Sequence, residues 1–151
     1  MSILKSKRLP SKAEYVNTAN VLYVETISFL SRLSSRYARM MAEQPARLAG
    51  EVMEHTEKAN KIYPSDEERK ALRKAHLLEA QASLAALDAA LLHCYLMMIK
   101  NPQGAFTNAK GQTLPPSEAE QKLDRMAQSL GELIDKEDTL LKGILSSDRK
   151  R

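Results

Sequence analysis

The twelve residues Ala59-Asn60-Lys61-Ile62-Tyr63-Pro64-Ser65-Asp66-Glu67-Glu68-Arg69-Lys70 leave this chain few ways to fold, because they stop one amphipathic segment and start another within three residues. Pro64 lacks a backbone N–H and biases Tyr63 away from helical geometry, so a helix arriving from Ala46 is expected to end near Ile62 or Tyr63. Ser65 is then placed to cap the next helix, with Glu68 reaching back in a capping box. Asp66, Glu67 and Glu68 suit the positive end of that helix's dipole. A connection this short predicts two antiparallel neighbours.

The rest of the chain repeats that style. Ser11-Lys12-Ala13-Glu14 and Ser117-Glu118-Ala119-Glu120 match the same capping pattern, and each precedes apolar residues at spacings of three and four. The first stripe is Tyr15, Ala19, Leu22, Thr26, Phe29 and Leu33; the second is Leu48, Val52, His55, Ala59 and Ile62. Before the second, Ser34-Ser35 breaks the pattern, and Pro45 predicts a short helical turn followed by a fresh start. In the third segment Leu77, Leu84, Leu91 and Met98 repeat every seven residues beside Ala80, Leu87 and Cys94, a coiled-coil-like seam. Its many alanines would allow close approach on several faces, which suggests burial inside a bundle and contact with a second subunit. The last stripe is Leu123, Met126, Leu130, Leu133, Leu140 and Ile144, with Glu137 on the seam and expected at a rim or paired with a neighbouring base.

These patterns predict an all-α, up-down-up-down four-helix bundle with helices over about 11–33, 37–63, 66–99 and 117–146. An irregular loop would cover 100–116, where Gly104, Gly111 and three prolines fall, and would serve as a mobile or binding element. A basic arm at 1–10 and a basic tail at 147–151 would flank the bundle. With 151 residues the chain suits one domain. Cys94 alone excludes an internal disulfide, and no uninterrupted apolar run reaches the roughly 18 residues of a membrane span. A cytoplasmic protein without membrane contact is the expectation.

The net charge of +4 is uneven. Lys5, Lys7, Arg8 and Lys12 contribute four positive charges, while Arg149, Lys150 and Arg151 against Asp148 contribute two, leaving 16 basic and 18 acidic residues between. Bundle topology would gather both tails and the 59–70 corner at one pole, adding Lys58, Lys61, Arg69, Lys70, Arg73, Lys74 and Lys142. Such clusters gain affinity for phosphate by releasing counterions, without reading bases. Tyr63 and Tyr37 read first as plugs at helix ends and second as stacking surfaces.

Enzymology has little footing: no P-loop, dinucleotide fingerprint, zinc spacing or nucleophile motif occurs, and neither cofactor nor metal is expected. A bundle carboxylate-metal site would need Glu-x-x-His on two helices; Glu51, His55, His76, Glu79 and Glu137 do not supply it. His55 reads as a core histidine with a polar partner, and His93-Cys94 as a packed pair.

Arg47-Leu48 leading to Val52, the run Ala59 to Pro64, Arg69, Arg73, the Ala/Leu-rich third segment and Leu133-Ile134-Asp135-Lys136-Glu137 together resemble a bacterial four-helix-bundle family. That family includes the accessory variability determinant of diversity-generating retroelements and proteins encoded in intervening sequences of large-subunit ribosomal RNA genes. The likeness covers Lys5 to Arg149 apart from the loop 100–116, which is longer here than the family pattern. The basic start, Lys5 to Pro10, and the basic end resemble the retroelement branch. The resemblance implies a noncatalytic homopentamer that binds the retroelement's reverse transcriptase and template RNA. It carries over Lys58, Lys61, Arg69, Arg73 and Lys74 as binding residues; topology adds Lys70, Lys5, Lys7, Arg8, Arg149, Lys150 and Arg151. Charge reversal at Arg69 and Arg73 is therefore expected to weaken binding and leave the fold intact. A ribosomal-RNA-associated bundle and an oligomeric protein scaffold without nucleic acid remain alternatives.

Overall fold

A computed structural model describes residues 2–6, 13–106, 112 and 114–150. Every regular element among them is helical: a four-residue turn α1 (Ile3–Ser6), then α2 (Glu14–Ser31), α3 (Ser35–Met41), α4 (Glu43–Lys61), α5 (Glu67–Met98), a 3₁₀ turn (Pro102–Gly104) and α6 (Pro116–Arg149). The α4–α5 contact is the most extensive, and α2 packs on α4 and α6 while α5 packs on α6. The four long helices thus enclose one core.

The α2 stripe is buried as its spacing requires, from Tyr15 through Ala19, Leu22, Thr26 and Phe29 to Leu33. In α5 the seam is buried at Leu77, Ala80, Leu84, Leu87, Cys94 and Met98, while Leu91, the third member of the seven-residue repeat, is only half-buried. In α6 the buried line is Ala119, Leu123, Leu130, Ile134, Glu137 and Leu141. The expected Leu133, Leu140 and Ile144 are only half-buried flanks, because a straight helix drifts against a fixed repeat and brings the adjacent residue inward.

Several starts differ from the sequence reading. Asp66, not Ser65, caps α5, its carboxylate accepting the Arg69 N–H at 2.8 Å. A cap serves the N–H two or three residues on, and the Ser65 N–H donating to the Tyr63 carbonyl at 2.8 Å keeps Ser65 in a tight turn outside the helix. Pro115 and Pro116, not Ser117, open α6; their fixed φ and missing N–H suit a first turn, and Ser117 falls inside the helix. α2 opens at Glu14 with Ala13 at its cap position; Ser11 and Lys12, the expected start, lie outside the described residues. The segment over 37–63 is instead as Pro45 predicted, a short helix and then a fresh start, with the break at Ala42 and Ser34 capping α3 through the Tyr37 N–H. Pro45 sits in the first turn of α4, as its missing donor demands. At the far end α6 continues to Arg149, so most of the expected tail is helical.

The loop after α5 is partly structural. Ser34 donates its N–H to the Ala105 carbonyl at 2.7 Å and its hydroxyl to the Gly104 carbonyl at 2.8 Å, and Leu33 and Phe106 form a bridge pair. Phe106 is fully buried, edge-on to Phe29 with centroids 6.3 Å apart.

α5 is not enclosed by its own chain. Ala71, Ala75, Leu78, Ala82, Ala85, Ala89, Leu92 and Leu96 are all exposed, a second stripe spaced alternately four and three along the helix. One 18-residue window of α5 reaches a mean hydropathy of 1.2, so by length and composition this helix is apolar enough to cross a membrane. The expectation that no apolar run is long enough missed this window because Asp88 splits it.

Candidate nucleic-acid and partner interface

Four helix ends meet at one place. The Tyr15 hydroxyl of α2 donates to Asn60 Oδ1 near the end of α4 at 3.5 Å. From the first turns of α5, Arg73 reaches both ways: Nε to Asp148 Oδ2 in the last turn of α6 at 2.6 Å, Nη1 to the carbonyls of Ala59 and Ile62 at 3.0 and 3.3 Å. A helix leaves its last carbonyls without partners, and a guanidinium there satisfies them while matching the negative end of the dipole. Arg73 is only 9% exposed, which corrects the expectation that reversing it would probe binding alone: reversal would strip α4 of its cap and leave Asp148 unpaired. Burial holds the Tyr15 hydroxyl above its ordinary pKa, against the opposing charge of Arg73.

Above this clamp, α5 and α6 enclose a groove of about 390 Å³. Pro64, Leu78 and Leu145 form its apolar lining, and Lys70, Lys74, Lys142 and Arg149 supply the charge. Lys142 pairs with Asp138 at 2.6 Å and Lys70 with Glu67 at 3.3 Å, both across exposed helix turns, where such pairs hold weakly. Among the described residues Lys74 and Arg149 form no ion pair.

The structure therefore assembles part of the expected site. Lys70, Lys74 and Arg149 share the groove. Arg69 is exposed and bound to Asp66, whose carboxyl is held below the usual range first by the Arg69 backbone N–H. Lys61 and Lys150 are exposed near the same helix ends, and Lys5 is exposed in α1. Lys58 is elsewhere: it pairs with Glu54 at 2.8 Å and lines a shallow face with Glu51, Glu54 and Glu57. Lys7, Arg8 and Arg151 lie outside the described residues.

Tyr37 is buried, as a plug requires, but Tyr63 is 75% exposed and plugs nothing. Pro64 turns the chain so sharply that the ring has no helix end to fold onto. Charge counting also gave no sign of the groove's apolar lining; the signal was Leu78, an apolar residue off the buried seam.

Two polar groups depart from their expected settings. Glu137 is neither at a rim nor paired: it is 0% exposed, and neither oxygen has a hydrogen-bond partner. Burial pushes its carboxyl up to about 8, with Lys136 opposing. His55 has a polar partner, but that partner is His76, with Nδ1 atoms 3.0 Å apart. Only one proton fits between them, and burial followed by the His55 charge holds His76 below its ordinary pKa. His93 is exposed while Cys94 is buried, so they are not a packed pair; successive helix residues diverge by about 100°. Glu51 accepts from Ser83 at 3.0 Å and from Arg47 at 2.8 Å. Among the described residues no three His, Cys, Asp or Glu side chains are grouped to hold a metal ion.

No protein-family model, curated protein or solved structure matches this chain.

Proposed function

We propose that this chain is a noncatalytic accessory protein, an up-down-up-down four-helix bundle that assembles as a homopentamer and binds the reverse transcriptase and template RNA of a retroelement. A cytoplasmic location goes with that reading. The observation that carries it is the basic groove between α5 and α6, where four cations converge and two have no acidic partner among the described residues. Counterion release from phosphate would drive the binding, and five such poles on one particle would multiply it. The contacts of Tyr15 with Asn60 and of Arg73 with Asp148 support the alternating helix directions. The open Ala/Leu stripe of α5 supports self-assembly. The resemblance at 59–64 and 133–137 supports the retroelement assignment; the genes beside this one would separate that branch from the ribosomal-RNA branch.

The test is a gel-shift series. The purified protein, at its measured oligomeric mass, is titrated onto a structured RNA across a range of salt, with and without the reverse transcriptase encoded beside it. Ring-sized particles that capture enzyme and RNA, and release the RNA as salt rises, are the expected result. Particles that capture a protein partner without salt dependence and ignore RNA would point to a scaffold instead.

A further inference from the structure

We infer that the groove and Tyr63 together form a site for a single-stranded stretch of RNA, in which a base stacks on the Tyr63 ring while the backbone follows Lys70, Lys74, Lys142 and Arg149. The inference rests on the RNA-binding reading above and adds the form of RNA recognised.

Three observations carry it. The groove, at about 390 Å³, has the size of a site for one small ligand such as a nucleotide. Its cations stand in two rows rather than one patch. Lys70 and Lys74 are one turn apart on α5, Lys142 and Arg149 two turns apart on α6, so a strand entering the groove is flanked by charge along its length. Beside Gln81 and Asp148 the groove is lined by apolar side chains, with Leu78 exposed and Leu145 and Pro64 half-buried. Phosphates gain nothing from such a lining, whereas the faces of unpaired bases do.

Tyr63 supplies what the groove lacks. It follows half-buried Ile62, precedes groove-lining Pro64, and keeps three-quarters of its surface in water. A basic track beside an exposed aromatic ring is the arrangement that binds single strands with little sequence preference, each stacked base contributing about 1–3 kcal/mol. In a duplex the base faces are already stacked and cannot reach the ring. Four cations lining the groove beside a single carboxylate, Asp148, also suit an acidic peptide, but such a peptide has no use for an aromatic platform.

Fluorescence anisotropy tests this with the full chain, a labelled oligoadenylate and a blunt RNA duplex of equal length. The single strand is expected to bind more tightly. Tyr63→Ala should weaken it about 5- to 100-fold, leaving the duplex unchanged, and Tyr63→Phe should restore single-strand binding. Lys74→Gln, at an exposed position without an ion pair, should lower the salt slope for the strand by about 0.7. Helicity by circular dichroism should be unchanged in all three variants. Equal binding of strand and duplex, insensitive to Tyr63→Ala but weakened by Lys74→Gln, would overturn the stacking site and leave general RNA binding standing. An oligoglutamate that displaces the strand at equal concentration would overturn it too, since the groove would then read charge alone. Failure to bind either RNA would overturn both this site and the RNA-binding reading.

Discussion

Glu137 is the residue whose chemistry most departs from its surroundings, a carboxyl on the buried line of α6 with no partner for either oxygen. An ionised carboxylate there is costly, so the folded chain keeps it protonated up to about pH 8 although its ordinary value is 4.5. Between those values the folded state holds a proton that the unfolded state has released. Its contribution to stability is complete below about pH 4.5 and is lost as pH rises through about 8, at about 1.4 kcal/mol per unit. Glu137→Gln removes the titration and keeps the shape. The variant should gain a few kcal/mol over the parent at neutral pH, and the difference should shrink towards pH 4; urea denaturation at several pH values would show it. Parallel pH profiles for the two proteins would mean that Glu137 finds a partner after all. The sequence placed Glu137 on the seam correctly. It did not reveal the missing partner, because pairing depends on which neighbouring bases face inward, and Lys136 instead turns out to Glu14 at 3.3 Å. Arg73 went astray for the converse reason: its charge was legible, while the carbonyls of Ala59 and Ile62 that occupy it appear only when two helix ends meet.

Among the elements, the buried seam of α2 was legible in full and that of α5 nearly so, since apolar residues at spacings of three and four mark the inward face whichever neighbours it meets. The caps were less so, since a capping pattern such as Ser117 to Glu120 also fits the interior of a helix whose first turn two prolines have already fixed. The loop after α5 was the least legible. Its glycines and prolines announce irregular backbone, but Phe106 gives no periodic signal that it belongs to the core. In the structure this ring fills the end of the bundle beyond Phe29, with Lys122 Nζ 4.8 Å from its centroid, and the two Ser34 hydrogen bonds hold the Gly104 and Ala105 carbonyls just before it. Truncation would leave a cavity that this corner, fixed from both sides, can close only in part. Phe106→Ala should therefore cost about 3–5 kcal/mol, measured as a lower urea midpoint with helicity retained. A loss below about 1 kcal/mol would mean that the segment is not part of the core and is free to be the mobile or binding element that the sequence suggested.

For the whole molecule, the open stripe on α5 carries the strongest consequence. Leu92 and Leu96 expose about half of their surface and continue the same face as Ala82, Ala85 and Ala89, at a spacing that lets a second helix approach closely. The first turns of the stripe run beside Lys70 and Lys74, where like charges would keep copies apart. In the proposed assembly, contact between copies would fall on 82–96, leaving Leu78 and the groove open to the proposed RNA. Leu92→Glu combined with Leu96→Glu places two charges per chain in that contact without touching the buried seam. Light scattering should then report monomers in place of the proposed pentamer, with circular dichroism unchanged. If five poles act together on one RNA, the same variant should also bind RNA more weakly and with a shallower salt dependence, since fewer phosphates are neutralised per particle. A parent protein that is already monomeric would remove the pentamer. A variant that becomes monomeric yet keeps full RNA affinity would show that each basic pole acts alone, and the stripe would then serve the enzyme partner or the assembly itself rather than RNA capture.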